Sequence, residues 1–337
     1  MVSFMMPAAP WIMATALLLA LLIDRLWGEP PAWLHPVVGM GKYLGLWQEH
    51  LPALRPAPAF AAGALLWLLG AALVGVGAWA AQQALLHELP AMAATVLLAL
   101  LLKPLLAWRM LRNEVQAVEE ALGQSLQAGR ERLGWLVSRD VSALSETEVR
   151  ESAIESLAEN LNDSVVAPMF WFALLGLPGA AVYRFANTAD AMWGYRGRWE
   201  WAGKWAARAD DVLSWLPARI TALLLALAHG RLALRELRRE ARRTPSPNSG
   251  WPMAAMALAL GVQLRKPGVY VLHPAGRAAQ GGDTAGRCNW QRERCGCWPC
   301  SRLWRWSFWC VRRARPGHER RQAAHPWRAR QPGRAAA

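Results

Sequence analysis

Hydrophobic and polar positions fall into long blocks along this chain and show little of the fine alternation of half-buried strands. Phe4–Ile23 runs for 20 residues without a charge, Pro56–Leu86 for 31 and Val165–Tyr183 for 19. Leu89–Leu102 is uncharged until it meets Lys103-Pro104, and Val212–Ala228 is apolar apart from Arg219. A helix needs about 20 apolar residues to cross a hydrocarbon layer of ~30 Å. The centre of the second block, Ala59–Ala81, is apolar on every face, which marks a membrane span or a deep core. These blocks predict an all-α, polytopic transmembrane protein with about four to five membrane segments. Trp251–Leu264 is 14 residues long and fits a buried or an interfacial helix equally. The first run is not patterned as a cleaved leader, because Asp24-Arg25 follows it where small residues would mark cleavage.

Polar stretches separate the blocks. Arg109–Ser164 has a helical pattern and carries 11 acidic against 6 basic residues. Within it, Ser145-Glu146-Thr147-Glu148 is a capping box that starts a helix running to about Asn160. Arg184–Asp211 is a second polar stretch. Arg231–Arg243 holds six arginines and reads as cytoplasmic by the positive-inside rule. Thr244–Gly250 is a turn-rich break.

Composition sharpens this picture. With 54% hydrophobic and 18% charged residues, the chain has too much apolar surface to be disordered. The net charge of +14 is concentrated: residues 275–337 hold 14 Arg and 3 acids, while residues 1–274 hold 24 basic and 21 acidic residues. The body has no basic stripe with interleaved aromatics, so nucleic acid is not an expected partner.

Three constellations could carry chemistry. Glu151, Glu155 and Glu159 share one helix face, and three like charges destabilise that face unless a cation lies against it. Asn160 and Asp163 add hard oxygen donors suited to Mg²⁺; a solvated acidic face is the alternative. In the second, Arg184 suits a phosphate or carboxylate, and Asn187 and Asp190, three apart, could face one ligand; an interfacial loop anchored by Tyr and Trp is the alternative. The third is Lys204, Arg208, Asp210 and Asp211, followed by Arg219 inside an apolar run. Asp210, Asp211 or a ligand anion are the partners expected for Arg219, with a structural Arg–Asp pair as the alternative. Asn248, in Pro247–Pro252, stands where backbone N–H groups open the next helix, a feasible anion site. There is no Walker A sequence and no strand-linked G-x-G-x-x-G.

In order, Asp24…Gly28-Glu29-Pro30…His35-Pro36-Val37, Glu155-Ser156…Glu159-Asn160…Asp163 to Ala167-Pro168, Asn187-Thr188…Asp190…Gly194-Tyr195, Ala207-Arg208…Asp210-Asp211…Pro217-Ala218-Arg219 and Pro247-Asn248…Gly250-Trp251-Pro252 resemble the CobD/CbiB family of adenosylcobinamide-phosphate synthases. The resemblance covers residues 1–274. It implies a multi-pass protein of the bacterial inner membrane that joins aminopropanol or its phosphate to a propionate carboxylate of adenosylcobyric acid. ATP and Mg²⁺ are the implied cofactors. Membrane lipid and other cobalamin-pathway enzymes are the further implied partners. On this reading Glu155, Glu159, Asp163, Asp190, Asp210 and Asp211 are the catalytic candidates, with Glu155, Asp163 and Asp211 as magnesium ligands. Arg184, Asn187, Lys204, Arg208, Arg219 and Asn248 are the candidates for holding phosphate or substrate. A Mg²⁺-dependent membrane phosphotransferase and a corrinoid transporter or scaffold are the competing classes. One difficulty follows from the spans. If Val165–Tyr183 and Val212–Ala228 both cross fully, the first two constellations face opposite sides; Pro168, Gly176, Pro178 and Gly179 offer a place for the former to break.

From about Ala275 the resemblance stops. Residues 275–337 contain one Leu, one Val, one Phe and no Ile, with 6 Trp and all 5 Cys. This pattern points to a shifted reading frame in GC-rich DNA, which resequencing around codon 275 would test. Cys295-Gly296-Cys297-Trp298-Pro299-Cys300 lacks the second ligand pair of a zinc knuckle.

Overall fold

The computed structural model describes residues 10–230 and 233–284. In chain order the helices are α1 (Pro10–Leu26), α2 (Pro36–Gly45), α3 (Pro56–Glu88), α4 (Ala91–Leu102), α5 (Trp108–Leu122), α6 (Leu126–Leu133), α7 (Glu146–Leu161), α8 (Ala167–Trp193), α9 (Lys204–Ala228), α10 (Leu234–Ala241), α11 (Gly250–Leu260) and the short α12 (Gly281–Thr284). The helical fold carries one small addition, an antiparallel hairpin of β1 (Leu264–Lys266) and β2 (Tyr270–Leu272), with Leu264 opposite Leu272. Helix boundaries follow from local chemistry. Pro36 and Pro56 occupy first turns, where a missing N–H costs nothing. The expected capping box forms: the Ser145 side chain accepts from Glu148 N, and Glu148 Oε2 accepts from Ser145 N at 2.8 Å.

Four helical segments among the described residues are long and apolar enough to cross a membrane: Pro56–Glu88, Ala91–Leu122, Glu146–Trp193 and Lys204–Ala228. The chain is therefore built as a multi-pass membrane protein. α1 adds an apolar helix of 17 described residues. The Leu89–Leu102 run gains its length by continuing through a 3-10 turn, Lys103–Leu105, into α5. Trp251–Leu264 resolves into a buried helix of 11 residues, α11, closed by Gly261 in the left-handed region at φ 65°.

The decisive feature is in the third of these segments. A straight helix would hold Asp163 and Tyr183, 20 residues apart, about 30 Å from each other. Instead the Tyr183 hydroxyl lies 3.5 Å from Asp163 Oδ1. The chain passes through a π-helical turn at Asn162–Val166, then reverses at Gly176, whose φ of 71° and ψ of −158° suit glycine alone. α8 is thus a helical hairpin with limbs Ala167–Leu175 and Leu177–Trp193. A Cβ on Gly179 would run into the Trp171 carbonyl and the Leu175 side chain across the turn. The reversal frees backbone groups inside an apolar layer, where each needs a partner. Gln82 of α3 supplies one: its Oε1 accepts from Leu177 N at 2.7 Å. α3 runs antiparallel to the second limb, with Gly70 against Phe185 and Gly75 against Val182, small residues allowing the backbones to close up. Because the segment doubles back, the acidic helix and the Arg184–Asp190 stretch end side by side, and the topological difficulty disappears.

Packing continues past the boundary expected at Ala275. Arg277 pairs with Asp283 at 2.7 Å, and Thr284 Oγ1 donates to Glu119 Oε2 at 2.5 Å, docking α12 on α5. The unusual tail from residue 285, including Cys295–Cys300, lies outside the described residues.

Candidate active site

The hairpin, α7 and α9 bring acidic side chains together around one point, an acidic chamber walled by polar residues. Asp163 sits on the π-turn, where Asn162 Nδ2 donates to its Oδ1 at 2.8 Å. Tyr183 shares a hydrogen bond of 3.0 Å with Ser214 of α9, and Thr221 Oγ1 donates to Asn162 Oδ1 at 3.1 Å. Arg184 is only 7% exposed. Its Nη1 donates to the Asp163 carbonyl at 3.0 Å, to Ser164 Oγ at 3.2 Å and to Asn187 Oδ1 at 3.4 Å. Asn187 also hydrogen-bonds the carboxylates of Asp163 and Asp210. Glu159 and Asp210 each lie in the field of Asp163 and Asp190. A Cβ on Gly194 would run into the Asp190 carboxylate, so the Asp190…Gly194 spacing keeps room for that acid. The sequence-selected Glu159, Asp163, Arg184, Asn187, Asp190 and Asp210 are therefore brought together.

Glu151 and Glu155 have different surroundings from Glu159. The cations that their shared face requires are Arg265 of β1, 3.0 Å from Glu151, and Arg139, 3.3 Å from Glu155. Tyr270 of β2 adds a side-chain hydrogen bond to Glu155. Glu159 forms no such ion pair; it lies in the fields of Asp163, Glu155 and Asp190, with Lys266 of β1 as the cation acting on it.

An adjoining face of α9 borders a groove of about 990 Å³, a volume at the upper end for small-molecule sites. Lys204, Arg208, Asp211, Trp215 and Arg219 of α9 line it, joined by Arg196 and by Arg238 and Arg242 around α10. Six cations thus face two acids, Glu200 and Asp211. Successive helix residues are turned about 100° apart, so Asp210 faces the chamber and Asp211 the groove. The polar stretch and the arginine-rich segment share this one opening.

Two expectations are corrected here. Arg219 does not pair with Asp210 or Asp211. Its Nη1 donates to Asn248 Oδ1 at 2.8 Å and to the Trp215 carbonyl at 2.6 Å, its Nη2 donates to the Pro247 carbonyl at 3.1 Å, and its guanidinium lies between Trp215 and Trp251. Asn248 Nδ2 in turn donates to the Asp211 carbonyl at 2.7 Å. Arg219 and Asn248 accordingly brace the Thr244–Gly250 loop against α9, and Asn248 does not line the groove. The trio Glu155, Asp163 and Asp211 is not assembled as a metal site: Asp211 lines the groove, Glu155 pairs with Arg139 and Asp163 sits on the π-turn. Among the described residues no three His, Cys, Asp or Glu side chains stand close enough to hold a metal ion by themselves. The oxygen donors still fit Mg²⁺ that arrives with phosphates and waters, which needs only one or two protein carboxylates.

One cluster escaped the sequence-based choice of site residues. Lys103, 4% exposed, donates to Glu29 Oε2 at 2.6 Å and lies 3.7 Å from Asp24, while His35 Nε2 is 3.5 Å from Glu29. Burial raises the Glu29 pKa, but hydrogen bonds from His35 and Lys103 outweigh it and hold the carboxyl below its ordinary value. Arg109 N donates to Asp24 at 3.0 Å, and Ala107 N donates to the Ser164 carbonyl at 3.0 Å. The N-terminal motif therefore anchors the segment that braces the π-turn. The available signal was a lysine closing an apolar run, a costly placement without acidic partners.

The five matching motifs gain independent support from known proteins. The family described as CobD/Cbib protein matches residues 17–291, beyond the expected boundary at 274. A protein named "Probable cobalamin biosynthesis protein CobD" from Methanothermobacter thermautotrophicus is 42% identical over 265 residues, 77% of this chain and 86% of the relative. "Cobalamin biosynthesis protein CobD" from Chromobacterium violaceum is 44% identical over 256 residues, 73% and 79% of the two chains. The protein of that name from Brucella suis is 40% identical over 269 residues, 75% and 81%. No solved structure matches. Motif order, identity and coverage together place the chain in the CobD/Cbib protein family.

Proposed function

We propose that this chain acts in cobalamin biosynthesis, in the inner membrane, as an ATP-dependent amide ligase. Its substrates are adenosylcobyric acid and aminopropanol or the phosphate of that alcohol. The observation that supports this reading is the placement of an acidic chamber and a cationic groove on two faces of one helix, α9, as separate environments for an amine and for phosphates. A propionate oxygen of the corrinoid attacks the γ-phosphorus and ADP leaves, giving an acyl phosphate. The amine nitrogen then attacks the acyl carbon, the C–O bond to phosphate breaks, and the amide forms. Of the two protons the ammonium gives up, one goes to a chamber carboxylate and one leaves with phosphate. Lys204, Arg208, Arg238 and Arg242, which line the groove, hold the phosphates on this reading, and Arg184 secures the chamber. Magnesium bound with the nucleotide would neutralise phosphoryl charge, with Asp211 as the groove carboxylate available to it.

Membranes carrying the full chain are incubated with adenosylcobyric acid, aminopropanol phosphate, ATP and Mg²⁺. Formation of adenosylcobinamide phosphate that stops without ATP is the expected result. Dependence on a cytidylyl-activated alcohol instead would make the chain a phosphotransferase. Movement of the corrinoid across vesicles without conversion would make it a transporter.

A further inference from the structure

Uncompensated negative charge is expensive where water is scarce, and a protein keeps it only against a counter-charge or protons. The chamber gathers four groups that can carry such charge. Glu159, Asp163, Asp190 and Asp210 come from four elements, α7, the π-turn, α8 and α9, and none of them takes part in a salt bridge among the described residues. Lys266 acts on Glu159 from β1 and Arg184 lies beside Asp163, but the Nη1 of Arg184 is spent on a carbonyl, a hydroxyl and an amide. One side chain more than nine-tenths buried leaves a polar atom without a partner here: Arg184 keeps a free Nε donor. Asp210 Oδ1 is a further buried acceptor with no partner.

We infer that the chamber seats a primary ammonium between Asp190 and Asp210, with an oxygen of the same ligand toward Arg184. An alkylammonium offers three rotatable donors at about 2.7–2.9 Å from each acceptor, a demand that carboxylates on separate helices meet. The neutral partners fit as well: Asn187 touches both Asp163 and Asp210, and Tyr183 and Ser214 line the same wall. A donor beside these acceptors selects a ligand with an oxygen close to its nitrogen, the pattern of a short amino alcohol.

The assignment rests on the ligase reading for the identity of the amine, and the test separates the two. The purified full chain in detergent is titrated with 1-amino-2-propanol by calorimetry, without nucleotide, metal or corrinoid, and 1,2-propanediol serves as the neutral counterpart. Saturable binding of the amine, none of the diol, a loss of at least tenfold in Asp210→Asn and recovery in Asp210→Glu are expected. Binding of a nucleotide triphosphate by Asp210→Asn at the wild-type affinity shows that the variant is folded. Absence of amine binding, equal binding of the diol, or stoichiometric displacement of the amine by Mg²⁺ overturns the inference. Failure of the membrane assay with the amine still bound removes the proposed reaction and leaves the ammonium site standing.

Discussion

The acidic chamber and the basic groove are separated by one helix, yet they are built in opposite ways. The chamber is made of short side chains fixed by neighbours: Asp163 by Asn162, Tyr183 by Ser214, Arg184 by the π-turn. The groove is made of long cations, and two of them stack on tryptophans, Lys204 on Trp201 and Arg219 on Trp215 and Trp251. Short fixed groups suit a small ligand and a proton at a defined atom. Long flexible cations suit phosphates, which vary in pose. The lesson is that the adjacent pair Asp210-Asp211 is not one site; a helix turns each acid to a different chemistry.

This contrast can be broken most severely at Arg184. Arg184→Met removes three hydrogen bonds and the cation beside Asp163 and Asp210. Hydrogen bonds to a charged group carry about 1.5–3 kcal/mol, so a fall in kcat of about 100-fold or more is expected, with a lower melting temperature. Unchanged kcat would show that the chamber does not depend on this residue. Gly176→Ala comes next. A side chain in that backbone region costs on the order of 1–3 kcal/mol, and a loss of thermal stability of that size in detergent would confirm the reversal. A neutral substitution would mean that α8 crosses without turning back. The groove gives a smaller and different signature. Arg208→Ala and Arg242→Ala should each raise KM for ATP about tenfold, near 1.4 kcal/mol, with kcat retained. A fall in kcat at constant KM would move phosphate recognition elsewhere. The mildest test is pH. Glu29 is held below its ordinary value when folded, so its stabilising share is present above about pH 4.5 and is lost as pH falls through the lower folded value. Melting curves of the wild type should lose stability in that acidic range more steeply than those of Glu29→Gln.

Much of the architecture was legible because it depends on local pattern. Apolar length gave the spans, and Ser145 with Glu148 gave the start of α7. The acids of α7 demanded cations, although their identity, Arg139 and Arg265, depends on distant chain segments. Other features follow from tertiary closure, which no window of sequence contains. Gly176 and Pro178 mark a possible break, but only the approach of Asp163 to Tyr183 makes it a reversal. Lys103 and Glu29, 74 residues apart, meet across helices. Arg238 and Arg242 served as a topology signal in the sequence, while the fold also turns them onto the groove. Arg219 was expected to seek a carboxylate; two tryptophan faces, an asparagine and two carbonyls satisfy it instead.

The hydrogen bond from Leu177 to Gln82 spans 95 residues of chain, and it has a bearing on how the protein is made. The bend cannot satisfy its own backbone in lipid; it borrows an acceptor from α3. Synthesis proceeds from the N terminus, so α3 is already in place when the bend emerges, and the borrowed acceptor is waiting. A permuted gene that delivered α8 before α3 would send an unfinished hairpin into the bilayer, with its tip exposed until the missing helix arrived.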